Sequence, residues 1–357
     1  MHIGGCQIPH IPAPAGGYRQ WPVMIESGRH FNESQMMQRR RLTTSGLEIA
    51  PLVLGGNVFG WTADEAASFR LLDAFVDAGL DMIDTADAYS MWVPGNQGGE
   101  SEAIIGKWLA RSGKRDKVLI TTKVGVDIRE KSAPGAGKPC LGREYILWEV
   151  EESLKRLQTD YIDLYQAHRD DENIPLEETL ETFDLLLTQG KVRAIGASNF
   201  SADRLAKARD ISRNSGLAIY ETLQPLYNLY DRADFEQELQ EYCVQEDIGV
   251  IPYFSLGCGF LTGKYRTPAD LEGKPRAYRV KEMMNDRGMR ILQALDTVAG
   301  ELGATPAQVA LAWLMAQPGI TAPIASATNL EQMADLVAST RLEISPELLE
   351  TLDQASA

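Results

Sequence analysis

Between Pro51 and Ala325 the chain alternates, eight times over, between a short apolar run and a longer amphipathic stretch. The apolar runs are PLVLGG (51–56), Leu80–Asp84, Val118–Lys123, Tyr161–His168, Val192–Ala197, Thr222–Gln224, Gly249–Tyr253 and Ile320–Ala325. The stretches between them carry helix signals. Thr62 with Glu65 reads as a capping box for a helix over 63–79, and others are expected over 99–112, 142–158, 176–189 (stopped by Gly190), 233–246 and 286–302. Ser201 is expected to cap a further one, and Thr305-Pro306-Ala307-Gln308 opens another. Residues 262–285 read as a polar stretch, and a short hairpin is expected around Ser45-Gly46. Strands that alternate with helices pair in parallel. A parallel sheet is either open and doubly wound or closed into a (β/α)8 barrel. Eight units, with ligand-type residues after almost every strand, favour the α/β barrel, whose sites lie at the carboxyl ends of the strands. No G-x-G-x-x-G occurs, and GCGFLTG (257–263) has the wrong spacing, which argues against a dinucleotide-binding open sheet.

Residues 1–38 differ from the rest and read as an irregular N-terminal extension ahead of a barrel domain over 39–357. They hold three of the four histidines, with no metal-ligand spacing. A net charge of −15 disfavours a nucleic-acid partner and fits a small-molecule ligand. Four scattered cysteines without a CxxC pair read as free thiols in a reducing compartment. No apolar run is long enough to span a membrane and no signal pattern opens the chain, so a cytoplasmic location is expected.

The chemistry is concentrated in DMIDTADAYS (81–90), VLITTKVG (118–125) and YIDLYQAHRDD (161–171). Each places an ionisable side chain at or just after a strand end: Asp84 and Tyr89, Lys123, His168. A lysine beside a tyrosine is expected to push the phenol pKa down, making Tyr89 a proton donor and acceptor. Asp84 would hold Lys123 charged and fixed, and His168 would point a substrate carbonyl at the phenol. That set suits reversible hydride transfer between a carbonyl and a nicotinamide. With one histidine and no cysteine near it in sequence, metal catalysis is disfavoured.

With GASNF (196–200), LQPLYN (223–228) and GFLTGKY (259–265), these strings, in this order, resemble an aldo-keto reductase from about Arg39 to Ala357. The likeness extends to the branch that includes potassium-channel beta subunits. The resemblance implies a catalytic set of Asp84, Tyr89, Lys123 and His168. It places Ser198, Asn199 and Gln224 on the nicotinamide carboxamide and Tyr253 against the nicotinamide ring. Gly56 and Asn57 would contact the cofactor. Leu256, Gly257 and Gly259 would let backbone approach the pyrophosphate, and Lys264 would add charge. Ser326, Thr328, Gln332 and Asp335, at the start of the last barrel helix, would meet the adenosine end. The chain departs from the family there, because 325–335 has no Lys or Arg for a 2′-phosphate. Lys274 or Arg276 would then supply that charge, with NADP the family habit and NAD the alternative. Trp92, in the loop after Tyr89, and Trp61 are expected to wall the substrate pocket, with ordinary packing as the competing role. The resemblance implies a carbonyl reductase. An NAD-dependent sugar dehydrogenase and a cofactor-holding regulatory subunit remain alternatives.

Overall fold

Interior and exterior alternate along every barrel strand, and this places the site. The computed structural model describes residues 38–129 and 137–357. The expected extension, residues 1–38, therefore lies outside the described residues except for Gln38. Among the described residues, eight strands form one parallel sheet. They are β3 (Val53–Gly55), β4 (Met82–Asp84), β5 (Leu119–Val124), β6 (Ile162–Ala167), β7 (Val192–Ser198), β8 (Thr222–Gln224), β9 (Gly249–Val250) and β10 (Ile324–Ala325). Neighbours follow chain order, with β10 beside β3. The seam between β9 and β10 closes through a parallel bridge from Val250 to Ile320, with Thr321 N–H donating to Val250 O at 2.8 Å and Ile324 N–H to Pro252 O at 2.9 Å. The fold is a (β/α)8 barrel, and the open-sheet alternative falls.

The expected hairpin is β1 (Arg40–Arg41) against β2 (Glu48–Ile49), turning through Gly46 at φ +106°. It plugs the barrel floor: Leu42 and Ile49 pack with Val53, Met82, Leu164, Ala194, Ile251, Ala322 and Ile324. Gly249 is required by this plug, since a Cβ there would stand 2.0 Å from the Leu42 carbonyl oxygen. Outward residues Ile83, Ile120, Tyr165, Ile195 and Leu223 join the larger core under the helices. Side chains repeat every two residues along a strand. Continuing from Met82 to Asp84, from Leu119 to Lys123, from Leu164 to Gln166 and from Ala194 to Ser198 therefore keeps the polar ends on the inner face.

Several boundaries differ from the sequence reading. The helix Glu65–Asp77 is capped by Asp64, whose side chain accepts from Ala67 N–H at 2.7 Å, not by a Thr62–Glu65 box. The expected helix 233–246 breaks at Gln237 into Ala233–Glu236 and Glu238–Gln245. β9 and β10 are shorter than expected, and in each run a proline (Pro252, Pro323) removes a ladder donor. The polar stretch 262–285 contains a 3₁₀ turn, Pro268–Leu271, and a helix, Ala277–Met283. A helix Pro346–Ser356 was not anticipated, although Ser345-Pro346 is an N-cap followed by an N1 proline. It is tied down by Asp353, which accepts from Trp313 Nε1 and Arg232 Nη1, both at 3.0 Å. The described cysteines, Cys140, Cys243 and Cys258, are free. No helix among the described residues is long and apolar enough to cross a membrane.

Candidate active site

The inner faces of β4 and β5 bring one acid and one base together at the barrel mouth. Lys123 Nζ lies 2.7 and 2.8 Å from the two Asp84 oxygens, and donates also to Thr85 O at 2.8 Å and Tyr89 Oη at 2.8 Å. Asp84 and Lys123 are each about 1% exposed. The phenol donates to Asp84 Oδ2 at 3.1 Å. Gln224 Nε2 donates to Asp84 Oδ1 at 2.9 Å, so the carboxylate is held from three sides. His168 follows β6, its backbone N–H bound to Val124 O, and its ring meets Tyr89 edge-on with 6.1 Å between centroids. The four side chains singled out in the sequence thus come together.

The electrostatics differ from the expectation in one respect. The Tyr89 phenol is pushed well above its usual range, not below it, by burial first and the Asp84 charge second. Lys123 touches the phenol, but its charge is shared with two Asp84 oxygens, so its pull toward the phenolate is outweighed by burial and the Asp84 charge. Burial also lowers Lys123, against the pull of Asp84. His168 is pushed down to about 3 by burial and by Lys123, so its ring is neutral.

The residues assigned to a cofactor line the same end. Ser198 donates to Gln224 O at 2.8 Å, and Asn199, at φ +57°, donates to His168 O and Ser198 Oγ, both at 3.0 Å. Tyr253 Oη donates to Asn199 Oδ1 at 2.7 Å. Gly56 N–H donates to Asp84 O at 2.7 Å, and a Cβ on Gly56 would meet Ser101 Oγ at 2.8 Å. Asn57 accepts from Ser326 Oγ at 2.9 Å, joining the first and last barrel loops. After Leu256 the backbone takes positive φ at Gly257, Cys258 and Gly259. A Cβ on Gly259 would stand 3.2 Å from Lys264 Nζ. Lys264 is lowered by burial and then by Lys274 and Arg276. Among the described residues, no ion pair with an acid holds any of these three cations. Arg276 lies over the Trp61 ring at 5.1 Å and near Phe254 at 6.0 Å.

The last helix of the barrel proper, Leu330–Ser339, is capped by Asn329, with Gln332 Oε1 accepting from Thr328 N–H at 2.9 Å. Asp335 instead accepts from Gln308 Nε2 at 2.7 Å, which ties it to the neighbouring helix cap. Trp61 and Trp92 stack edge-on, 5.5 Å between centroids, and Trp92 is 6.3 Å from Tyr89 and 48% exposed. Sequence reasoning missed Gln166, which is buried on the inner face, donates to Thr121 Oγ1 at 3.0 Å and has an Oε1 without a hydrogen-bond partner among the described residues. Its place two residues after Leu164 on a strand was the available signal.

A closed barrel thus carries an Asp–Lys–Tyr cluster and a neutral histidine at its mouth. Residues 51–357 match the model of the Aldo/keto reductase family. The chain is 36% identical over 292 residues to the aldo-keto reductase YhdN of Bacillus subtilis, covering 79% of this chain and 82% of that one. It is 34% identical over 319 residues to the uncharacterized oxidoreductase YrpG of the same organism (89% and 95%). It is also 30% identical over 306 residues to a probable voltage-gated potassium channel subunit beta of Oryza sativa (84% and 90%). The chain belongs to the aldo/keto reductase family, whose oxidoreductases act on small-molecule carbonyl compounds with nicotinamide cofactors.

Proposed function

We propose that this protein reduces aldehyde or ketone carbonyls with NADPH, NADH ranking second, and oxidises alcohols in reverse. The observation that carries the reading is Lys123 Nζ, held between the Asp84 carboxylate and the Tyr89 hydroxyl at 2.7–2.8 Å. The residues present fit a dinucleotide. Burial first, then nearby Lys274 and Arg276, disfavour the charge on Lys264 in a chain of net charge −15, a conflict that an anion relieves. Gly259 leaves the space beside Lys264 open. Ser198, Asn199, Gln224 and Gln166 offer the hydroxyl and amides that a carboxamide needs, and Tyr253, anchored to Asn199, offers a ring to stack on. The bound nicotinamide supplies the hydride.

The chain's own residues supply the proton. Tyr89 keeps it, because its raised pKa leaves the phenol protonated at working pH. As negative charge builds on the substrate oxygen, Tyr89 donates, and Lys123 stabilises the phenolate left behind. His168 is neutral, so it holds the carbonyl oxygen without competing as an acid. Trp61 and Trp92 wall the entrance and exclude water.

The cofactor choice rests on charge. A charge-assisted bond to a 2′-phosphate is roughly twice as strong as a neutral one. Residues 325–335 offer no cation and Asp335 is engaged by Gln308, so Lys274 and Arg276 are the readers. NADPH is expected to bind more tightly than NADH by fluorescence quenching, and Arg276→Ala and Lys274→Ala to erode that gap. Equal dissociation constants in the wild type would overturn it and favour an NAD-dependent sugar dehydrogenase. The rice relative favours a second reading, a cofactor-holding regulatory subunit. Cofactor binding without turnover across a carbonyl and sugar panel is its signature.

The functional unit proposed is the barrel, 39–357, in the cytoplasm. A chain starting at Gln38 is expected to keep its activity and melting temperature. A fall of many degrees would show that the first residues stabilise the barrel.

A further inference from the structure

Behind Tyr89 and Lys123 lies a buried acidic cluster that the chemistry above does not use. Asp87, after β4, Glu102, on helix Glu100–Ser112, and Glu149, on helix Arg143–Leu157, are all fully buried. One guanidinium serves two of them: Arg156 Nε donates to Glu102 Oε2 at 2.6 Å, and its Nη2 donates to Glu149. Glu102 also accepts from the Thr122 hydroxyl at 2.5 Å. Lys123 is committed to Asp84. Among the described residues, no Lys or Arg forms an ion pair with Asp87. Its Oδ1 accepts from Ala88 N–H at 2.6 Å and its Oδ2 has no hydrogen-bond partner among the described residues. The buried Nδ1 of His168 also has no hydrogen-bond partner among the described residues, and it lies 3.8 Å from Asp87 Oδ1.

A buried, unpartnered ring nitrogen 3.8 Å from a buried carboxyl calls for a proton between them. If Asp87 were ionised, it would take Nδ1–H from the imidazole. Nε2 would then be a bare acceptor, which repels a carbonyl oxygen. A neutral Asp87 does the reverse. Its O–H donates to Nδ1, and Nε2 keeps the hydrogen. The groups around Asp87 favour the neutral form. Glu102 faces it with negative charge, Arg156 is shared between Glu102 and Glu149, Lys123 is paired elsewhere, the Glu149 carboxyl is itself pushed up to about 8 by burial and then by Asp87, and the Tyr145 and Tyr165 phenols are uncharged. Burial first, then Glu102, holds the Asp87 carboxyl well above the usual range.

We propose that Asp87 is a positioning residue that, as a neutral acid, donates to His168 Nδ1 and so fixes the tautomer presenting Nε2–H to the substrate oxygen. Closing the contact to a hydrogen bond takes a shift of about 1 Å. The inference rests on the carbonyl-reductase reading for the identity of the oxygen, but the tautomer itself does not depend on turnover.

The test is ¹⁵N-histidine NMR of the full chain, with His168 identified by the signals that His168→Asn removes. The wild type should show the neutral Nε2–H tautomer. Asp87→Leu, which can donate nothing, should lose that bias and lower kcat ~10- to 10²-fold with cofactor affinity unchanged, and Asp87→Asn, whose amide N–H donates, should recover most of both. An Nδ1–H tautomer in the wild type overturns the proposal. So does an unaltered Nε2–H tautomer in Asp87→Leu. If Asp87→Leu does not fold, Asp87→Asn decides: Nε2–H supports the proposal, and Nδ1–H overturns it.

Discussion

Tyr89→Phe lowers turnover by ~10²-fold or more and leaves cofactor affinity close to that of the wild type. The ring stays, so the contacts to Trp92 and His168 stay. Only the hydroxyl goes. Lys123 loses one acceptor of four but keeps both Asp84 oxygens and Thr85 O, so no buried charge is stranded. Stability should shift by no more than about 1 kcal/mol, the net worth of one hydrogen bond. The measurements are single-turnover kinetics, cofactor titration and a melting curve. Near-normal turnover would remove Tyr89 from its role as acid.

Lys123→Met does more damage and of a different kind. It strands the Asp84 carboxylate, 1% exposed, with only the Gln224 amide and the Tyr89 hydroxyl for company. Removing one partner of a buried pair costs about 3–5 kcal/mol, so melting temperature should fall with activity. The two losses can be separated. Asp84→Asn on top of Lys123→Met removes the stranded charge and should restore much of the stability, but none of the activity. The pH profile carries the sign. Burial and Asp84 already hold the phenol high, and without Lys123 nothing stabilises its ionised form. The oxidation direction, which needs phenolate, should therefore suffer most, its rising limb moving to higher pH. A double variant that regains turnover, or a limb that stays in place, would make Lys123 a structural residue.

The four chemical side chains were legible because strand periodicity is local. Asp84 and Lys123 point inward since Met82 and Leu119 lie two and four residues before them on the same faces, and no long-range information is needed for that. Capping was partly legible. Thr305–Gln308 forms its box, but at Thr62 the competing Asp64, two residues on, takes the cap. The prolines at 252 and 323 were visible too, and they shorten β9 and β10 because a missing N–H cannot extend a ladder.

The sign of the Tyr89 shift was not legible. It depends on how much of the Lys123 charge is already matched by Asp84, a balance set by distances across 39 residues of chain and by burial from all sides. The cationic cluster of Lys264, Lys274 and Arg276, the anchoring of Tyr253 by Asn199 and the engagement of Asp335 by Gln308 share that character. So does the confrontation of Asp87 with His168, which are 81 residues apart in the numbering. The sequence by itself determined the barrel, its order and the residues at its mouth, because hydrophobic period and turn chemistry act over a few residues. Tertiary structure alone decided which charges neutralise one another, because Coulomb energy and desolvation depend on distance and burial in space, and neither is written in chain order.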